Sequence, residues 1–108
     1  MISIIKETGE HLLIDVDVSE ANLDNSAAFK SEVVALLDKH RKTVIIDLGK
    51  IEYIDSSFLG ALVAVLKHAL AAKLDIKLIN LKKDVYDLLL LIRLDRVFKI
   101  YNSYNEAI

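Results

Sequence analysis

The sequence predicts an α/β fold in which helices pack against a mixed, mostly parallel sheet. The segment from Val44 to Leu48 is rich in β-branched residues and almost wholly apolar, as expected of a central strand buried on both faces. Strand-like and helix-like patterns alternate from the first helix onwards, which calls for parallel strands joined by helical crossovers. Two strand-like segments come before that helix, and they predict an antiparallel hairpin at one edge of the sheet.

The N-terminal part of the chain is expected to form this hairpin and the first helix. Ile2 to Ile5 is a short apolar run that leads into a turn. Leu12 to Val18 alternates, with Asp15 and Asp17 on one face, which predicts a strand exposed to solvent on that side. A solvated face explains this acidic pair better than a metal or acid/base site. The apolar period then becomes helical, and three residues at its start can cap the helix: Asp24, Asn25 and Ser26.

The second half of the chain predicts two further helices and two further strands. Ile76 to Ile79 is a short apolar run typical of a buried strand. A third helix is expected from about Lys82 to Arg93, and Val97 to Tyr101 predicts a final short strand before a frayed tail. The second helix is marked by an apolar stripe at helical spacing, formed by Leu59, Leu62, Val63, Leu66 and Leu70.

Composition limits the class of protein. The chain has 108 residues, of which 54% are hydrophobic, so one domain over residues 1–108 with a well-buried core accounts for all of it. It contains no cysteine and no secretory pattern, which predicts a cytoplasmic protein. The net charge is −2 with the signs interspersed, so nucleic acid is not an expected ligand. The longest uncharged apolar stretch, Ser56 to Leu66, is too short to cross a bilayer.

Two hydroxyls and a carboxylate stand together at the start of the second helix, within the segment Tyr53 to Gly60. One of Asp55, Ser56 and Ser57 is expected to cap the helix, which leaves at least one hydroxyl without a structural role. A helix start also favours anions, so this position is able to hold a phosphate on Ser56. A nucleophilic serine would need a base within reach. The three histidines belong to three different elements and G-x-S-x-G is absent, so hydrolase chemistry is not expected.

Four segments of the chain share a pattern with a known family. The most specific of them is Ile54-Asp55-Ser56-Ser57-x-Leu59-Gly60. The other three are Val44-Ile45-Ile46-Asp47-Leu48, Ile76-Lys77-Leu78-Ile79-Asn80 and Leu94-Asp95-Arg96-Val97-Phe98-Lys99-Ile100-Tyr101. Together they resemble the STAS domain family, and in particular its stand-alone bacterial anti-sigma-factor antagonists. The resemblance covers essentially the whole chain in element order and length, and it implies a single STAS-like domain.

This resemblance implies a phosphorylation switch rather than an enzyme. In the family, the serine directly after the aspartate, here Ser56, is phosphorylated by an anti-sigma factor that is itself an ATP-dependent serine kinase. A phosphatase removes the phosphate, and the unphosphorylated protein binds the anti-sigma factor and releases a sigma factor. Asp55 and Ser57 would flank the phosphoacceptor as partner contacts. The chain itself would then have no catalytic residue, cofactor or metal, since the partner kinase uses the ATP.

Two departures from the family pattern supply the remaining expected partner contacts. Phe58 stands where the family usually has glycine, and an aromatic ring at an exposed helix start either packs under a loop or contacts a partner. Asn22 stands in the loop after the second strand, where the family commonly has an aspartate that contacts the partner. Asparagine keeps the hydrogen-bonding shape of that aspartate and loses its charge.

A second function stays open beside the switch. A STAS adaptor that is never phosphorylated, in a signalling scaffold or a lipid-transport complex, would use Phe58 and the third helix as contacts. Leu88 to Ile92 is apolar on every face of that helix. Either the C-terminal segment covers this run, or it forms a homodimer or lipid-facing patch. A small-molecule or nucleotide binder is the third possibility, and no glycine-rich cradle supports it.

Overall fold

A five-stranded mixed sheet organises the chain, and the computed structural model describes all of its residues, Met1–Ile108. The strands are β1 (Ile2–Glu7), β2 (His11–Val16), β3 (Glu20–Ala21), β4 (Thr43–Asp47), β5 (Tyr53–Ile54), β6 (Ile76–Ile79) and β7 (Lys99–Tyr101). The helices are α1 (Leu23–His40), α2 (Ser56–Ala71), α3 (Lys83–Leu91) and α4 (Tyr104–Ala107), with a 3-10 helix at Leu94–Arg96.

The strand order of the main sheet is β1-β2-β4-β6-β7. Strands β1 and β2 are antiparallel, and every other neighbouring pair is parallel. The predicted fold class and the hairpin at the sheet edge are therefore confirmed. Strands β3 and β5 form a separate two-stranded parallel ladder that the sequence did not predict, because each strand has only two residues.

The main hydrophobic core lies between one face of the sheet and the helices α1, α2 and α3. Ile14, Ile46 and Leu78 lie in one row across β2, β4 and β6, and none of them is exposed to solvent. Burial of β-branched and leucine side chains on neighbouring parallel strands stabilises the sheet against the helices. Helix α2 buries a different face from its predicted stripe, because Ala61 and Ala69 join this core whereas Leu70 is 54% exposed.

The opposite face of the sheet carries a smaller core that the C-terminal helix covers. Leu13, Ile45 and Ile79 pack there with Ala107 of α4. The Ser103 hydroxyl accepts the N–H of Glu106 at the start of α4, at 3.3 Å. The Lys77 ammonium donates to the carbonyl of Ala107 at 2.6 Å.

The structure contradicts two predictions: the frayed C-terminal tail and the solvated face of β2. The expected frayed tail is an ordered helix. The polar side of β2 is buried rather than solvated, since Leu13 lies in the smaller core and Asp15 is only 9% exposed. Asp15 instead forms an ion pair with the Lys50 ammonium at 2.8 Å, and this hydrogen bond raises the pKa of Lys50.

Helix α3 is covered on one side only. Val85 and Leu89 are buried, whereas Leu91 is 78% exposed and Ile92 is 45% exposed. The proposal that the C-terminal segment covers this run is therefore wrong, because α4 packs on the other face of the sheet. No helix in the structure has the length and apolar character needed to span a membrane.

The docking of α4 leads to the first testable prediction. Ala107 is 3% exposed, so Ala107→Arg cannot be accommodated without displacing the helix from the sheet. We expect this change to lower the free energy of unfolding by about 1–3 kcal/mol in urea denaturation. Asn105→Arg changes an exposed position of the same helix and is the matched control. Equal stability of the two variants would contradict the packing described for α4.

Candidate functional site

The carboxylate of Asp55 connects the starts of two helices. Its Oδ1 accepts the N–H of Phe58 at 2.9 Å, which makes Asp55 the N-cap of α2. Its Oδ2 accepts the N–H of Leu23, the first residue of α1, at 3.0 Å. One side chain thus satisfies an unpaired backbone donor at each helix start, where the macrodipole also favours its negative charge.

The ladder between β3 and β5 brings these two helix starts together. Ala21 pairs with Ile54, and the Asp55 N–H donates to the carbonyl of Ala21 at 3.0 Å. Just before β3, the carbonyl of Ser19 accepts the N–H groups of Glu52 at 2.8 Å and of Tyr53 at 3.1 Å. These backbone bonds fix the loop before α1 beside the loop before α2, so residues more than 30 positions apart in the chain form one surface.

Asn22 caps the first helix. Its Oδ1 accepts the N–H of Asp24 at 3.0 Å, and the Asn25 Oδ1 accepts the Asn22 N–H at 2.9 Å. The predicted cap residues, Asp24, Asn25 or Ser26, are therefore wrong, although Asn25 completes the reciprocal box. The Nδ2 group of Asn22 donates to no protein group and stays available beside the site. The role of Asn22 as a partner contact stays a prediction.

The two serines differ in exposure. Ser56 is exposed at the first position of α2, whereas Ser57 is half-buried. Because Asp55 supplies the cap, neither hydroxyl takes part in a hydrogen bond within the protein. Of the two hydroxyls that the sequence left without a structural role, the one on Ser56 is the more accessible to another molecule.

Phe58 does not form part of this surface. Its side chain is 0% exposed, and its ring stacks at a tilt on Phe29 of α1 with 4.5 Å between the ring centroids. The prediction that Phe58 contacts a partner directly is therefore wrong. The ring is packed, as the alternative predicted, but against α1 rather than under a loop. The physical reason is its place in the first turn of α2, on the side that faces α1.

Leu23 and Tyr53, rather than Phe58, are the exposed apolar residues near Asp55. Leu23 is 71% exposed and donates its N–H to Asp55, while Tyr53 is 57% exposed on β5, two residues before Asp55. The sequence interpretation missed both. A leucine directly after a helix cap and a tyrosine directly before a buried strand residue are weak signals in a sequence. They gain meaning only because the β3–β5 ladder brings the two segments together.

No histidine lies where it would activate Ser56. His11 is hydrogen-bonded to Tyr104, His40 to Glu7 at 3.0 Å and His68 to Asp38 at 2.7 Å. The hydrogen bonds from Lys42 and His40 lower the pKa of the Glu7 carboxyl. His40 is thus part of a surface ion-pair cluster at the end of α1. None of the three histidines is therefore placed to act as the base that a nucleophilic Ser56 would require.

Comparisons with known proteins agree on the family. The model of the STAS domain matches residues 4–107. The TM1081 homolog of Thermotoga neapolitana, provisionally named an anti-sigma factor antagonist, is 31% identical over 100 residues, which are 92% of this chain and 88% of that protein. A protein of the same provisional name from Thermotoga maritima is 34% identical over 89 residues, which are 82% of this chain and 79% of that protein.

Solved structures share the fold. The crystal structure of the Thermotoga maritima protein tm1081 superposes with a TM-score of 0.77 and 30% identity, covering 88% of this chain and 83% of that one. The Bacillus cell fate determinant SpoIIAA, in its phosphorylated form, superposes with a TM-score of 0.72 and 15% identity, covering 99% of this chain and 96% of that one. At this identity the likeness to SpoIIAA shows the fold alone.

Fold and site together define a small α/β binding protein, in which two helix starts present one exposed serine. The chain belongs to the STAS domain family, as its resemblance predicted. It has the fold of the anti-sigma factor antagonists, which are binding proteins and not enzymes.

The bridging role of Asp55 is testable by stability. Asp55→Ala removes the acceptor of two backbone N–H groups, so we expect the free energy of unfolding to fall by about 1–3 kcal/mol. Asp24→Ala removes an exposed carboxylate from the first turn of α1 that accepts no hydrogen bond, and it is the matched control. Urea denaturation of both variants measures the difference, and an equal loss would contradict the bridge.

The burial of Phe58 gives a second prediction for this region. Phe58→Ala leaves a cavity against Phe29, and we expect it to lower the free energy of unfolding by about 3–5 kcal/mol. Tyr53→Ala, on the exposed side of the same segment, is expected to cost less than about 1 kcal/mol. If both changes cost the same in denaturant titrations, Phe58 is not the core residue described above.

Proposed function

We propose that the chain is an anti-sigma factor antagonist that is switched by phosphorylation of Ser56. The observation that carries this proposal is the exposed Ser56 hydroxyl, which is free because Asp55 supplies the helix cap. In the unphosphorylated state the protein binds an anti-sigma factor and thereby releases a sigma factor. That anti-sigma factor is also the kinase, so it uses the ATP, and a separate serine phosphatase reverses the modification.

The names and forms of related proteins support this proposal. The two Thermotoga relatives carry the provisional name of anti-sigma factor antagonists. SpoIIAA, which shares the fold, has been solved in an unphosphorylated and a phosphorylated form. A protein of this fold can therefore carry a phosphate, and Ser56 is the residue of this chain with an accessible hydroxyl at the matching motif. We place the protein in the bacterial cytoplasm, where these partners act.

The surface around Ser56 has the composition of a partner site. Asn22 presents a free amide, Leu23 and Tyr53 present apolar side chains, and Ser57 lies half-buried beside the acceptor. Exposed apolar residues next to hydrogen-bonding groups are typical of the centre of a protein interface. Asp55 acts differently from the other residues, because both of its carboxylate oxygens are engaged by backbone N–H groups. It positions the surface, and its role as a partner contact stays a prediction.

Charge explains how phosphorylation would end the binding. A phosphate adds about −1.5 to −2 charges at pH 7 and would stand next to the Asp55 carboxylate. The N–H groups at the start of α2 favour that charge, so the folded protein tolerates the phosphate. A docked partner would have to desolvate it, which is costly unless the partner provides a matching cation.

The alternative function is a STAS adaptor that is not phosphorylated. The exposed apolar end of α3, where Leu91 is 78% exposed, is the observation that favours a binding role independent of Ser56. An adaptor in a signalling scaffold or a lipid-transport complex would bind through such a surface. The two functions differ in whether phosphate is ever added to Ser56.

Intact-mass measurement tests the proposed function. The protein is incubated with ATP and an extract of its host, and we expect a gain of about 80 Da, the mass of one phosphate. Ser57→Ala should keep the gain and Ser56→Ala should lose it. Failure of the wild type to gain mass would contradict the switch and favour the adaptor. A gain that survives in Ser56→Ala would place the phosphate on another residue.

Binding measurements with the purified anti-sigma factor, which is also the kinase, test the charge mechanism. We expect Ser56→Asp to weaken binding to the anti-sigma factor at least about tenfold, because it adds a negative charge at the interface. Ser56→Ala, which adds no charge, should bind like the wild type, and Ser57→Asp tests whether the position matters. Equal affinity of Ser56→Asp and Ser56→Ala in titration calorimetry would rule out a switch based on charge.

A further inference from the structure

Helix α3 and its surroundings present an exposed apolar stripe with charge of opposite sign at its two ends. Asp84, Leu88 and Leu91 are spaced i, i+4 and i+7, so they lie on one face of the helix. Leu91 is 78% exposed, and the neighbouring Ile92 is 45% exposed. Leu88 is half-buried against the main core, whereas Leu91 and Ile92 stay exposed and are apolar enough to favour contact with another surface.

The N-terminal end of the stripe is acidic and concave. A cavity of about 320 Å³ opens between β5 and α3, with Tyr53, Val85 and Leu88 among its apolar lining residues. Glu52 and Asp84 also line it, and neither carboxylate is paired with a cation. The nearby Asp87 differs, because the Lys83 ammonium neutralises it at 2.7 Å. The groove therefore offers an apolar floor with two carboxylates that form no ion pair, and Lys83, which is bound to Asp87, lies near enough to Asp84 to offset part of its charge.

The C-terminal end of the stripe is basic. Arg93 follows α3 in a left-handed conformation with φ 65°, and Arg96 ends the 3-10 helix. Both residues are exposed, and neither guanidinium forms an ion pair within the chain. Val97, 50% exposed, extends the apolar surface towards the start of β7. This end thus carries two free positive charges beside exposed leucine, isoleucine and valine side chains.

We propose that this face binds a second copy of the chain, with the two α3 helices antiparallel about a two-fold axis. The helix has nine residues and is about 14 Å long at 1.5 Å per residue. An antiparallel arrangement sets the basic end of each copy against the acidic groove of the other and the leucines against each other. The contact is self-complementary, and such an isologous interface closes as a dimer.

The distribution of charge favours a second copy over other occupants. An anionic bilayer would attract Arg93 and Arg96 but would be repelled by Glu52 and Asp84 at the other end of the stripe. A partner segment of one charge sign would likewise meet repulsion at one end. Only a partner with the same polarity in the opposite direction neutralises both ends, and a second copy of this chain has that property.

Sedimentation velocity of the purified, unphosphorylated chain over a range of concentrations tests this proposal without any other partner. We expect a reversible monomer–dimer equilibrium. Asp84→Arg creates like charges at both ends of the two-fold contact, and so does Arg93→Asp. Each change should raise the dimer dissociation constant at least about tenfold. Asp24→Arg and Arg41→Asp are matched controls, because Asp24 also lies in a first helical turn and Arg41 also has a left-handed backbone conformation. Both changes should leave the equilibrium unchanged.

Mixing the two charge-reversed variants gives the decisive result. In a pair made of one Asp84→Arg chain and one Arg93→Asp chain, both end contacts again join opposite charges. Equimolar mixing should therefore restore dimers that neither variant forms alone, which a misfolded variant could not do. The double variant Asp84→Arg with Arg93→Asp should likewise dimerise by itself.

Three results would overturn the proposal. A wild type that stays monomeric at the highest concentration measured would exclude the dimer. Dimers that survive both single charge reversals would assign the contact to another face. Failure of the mixture to dimerise would exclude the antiparallel arrangement. Because the chain is studied alone, none of these results depends on whether Ser56 is phosphorylated.

Discussion

The surface around Ser56 depends on one constraint, the carboxylate of Asp55. It accepts backbone N–H groups from Phe58 in α2 and from Leu23 in α1, so the two helix starts are held one side chain apart. Because the aspartate completes the cap, the hydroxyl of the serine that follows it is not needed for a hydrogen bond within the fold. The exposed hydroxyl of Ser56 is thus a consequence of how the helix begins, and the same bond that stabilises the fold makes the site available.

The sheet supports this arrangement through its two unequal faces. One face is buried by three helices and forms the main core, while the other is closed by the short helix α4 through Ala107. In a parallel sheet with helical crossovers, the loops after the strands meet at the carboxyl edge. Ser56, Asn22 and Leu23 lie in such loops or at the helix starts that follow them. The core therefore stabilises the scaffold, and the surface around Ser56 lies at one edge of it.

Tyr53 links the two surfaces that this protein presents. Its ring is 57% exposed beside Asp55, and the same residue lines the acidic groove along α3. Occupation of the groove by a second copy would cover the side of the Ser56 region that Tyr53 forms. Association of two copies and docking of an anti-sigma factor would then both involve the Tyr53 side chain.

The sequence by itself determined the elements whose signal is local and periodic. The apolar run at Val44 to Leu48, the helical stripe of α2 and the Asp55-Ser56-Ser57 motif predicted the sheet, the helix and the family correctly. These succeed because the periods of strands and helices, and the chemistry of a helix cap, depend on residues close together in the chain.

Only the tertiary structure decided what depends on residues far apart. Phe58 is buried because α1 supplies Phe29 against it, and no local pattern states which helix will lie there. The β3–β5 ladder has two residues per strand, too few for any periodicity, yet it places Leu23 beside Asp55. The exposure of Leu91 likewise follows from the docking of α4 on the opposite face of the sheet. Burial is a property of the neighbours that folding brings together, and those neighbours are not adjacent in the sequence.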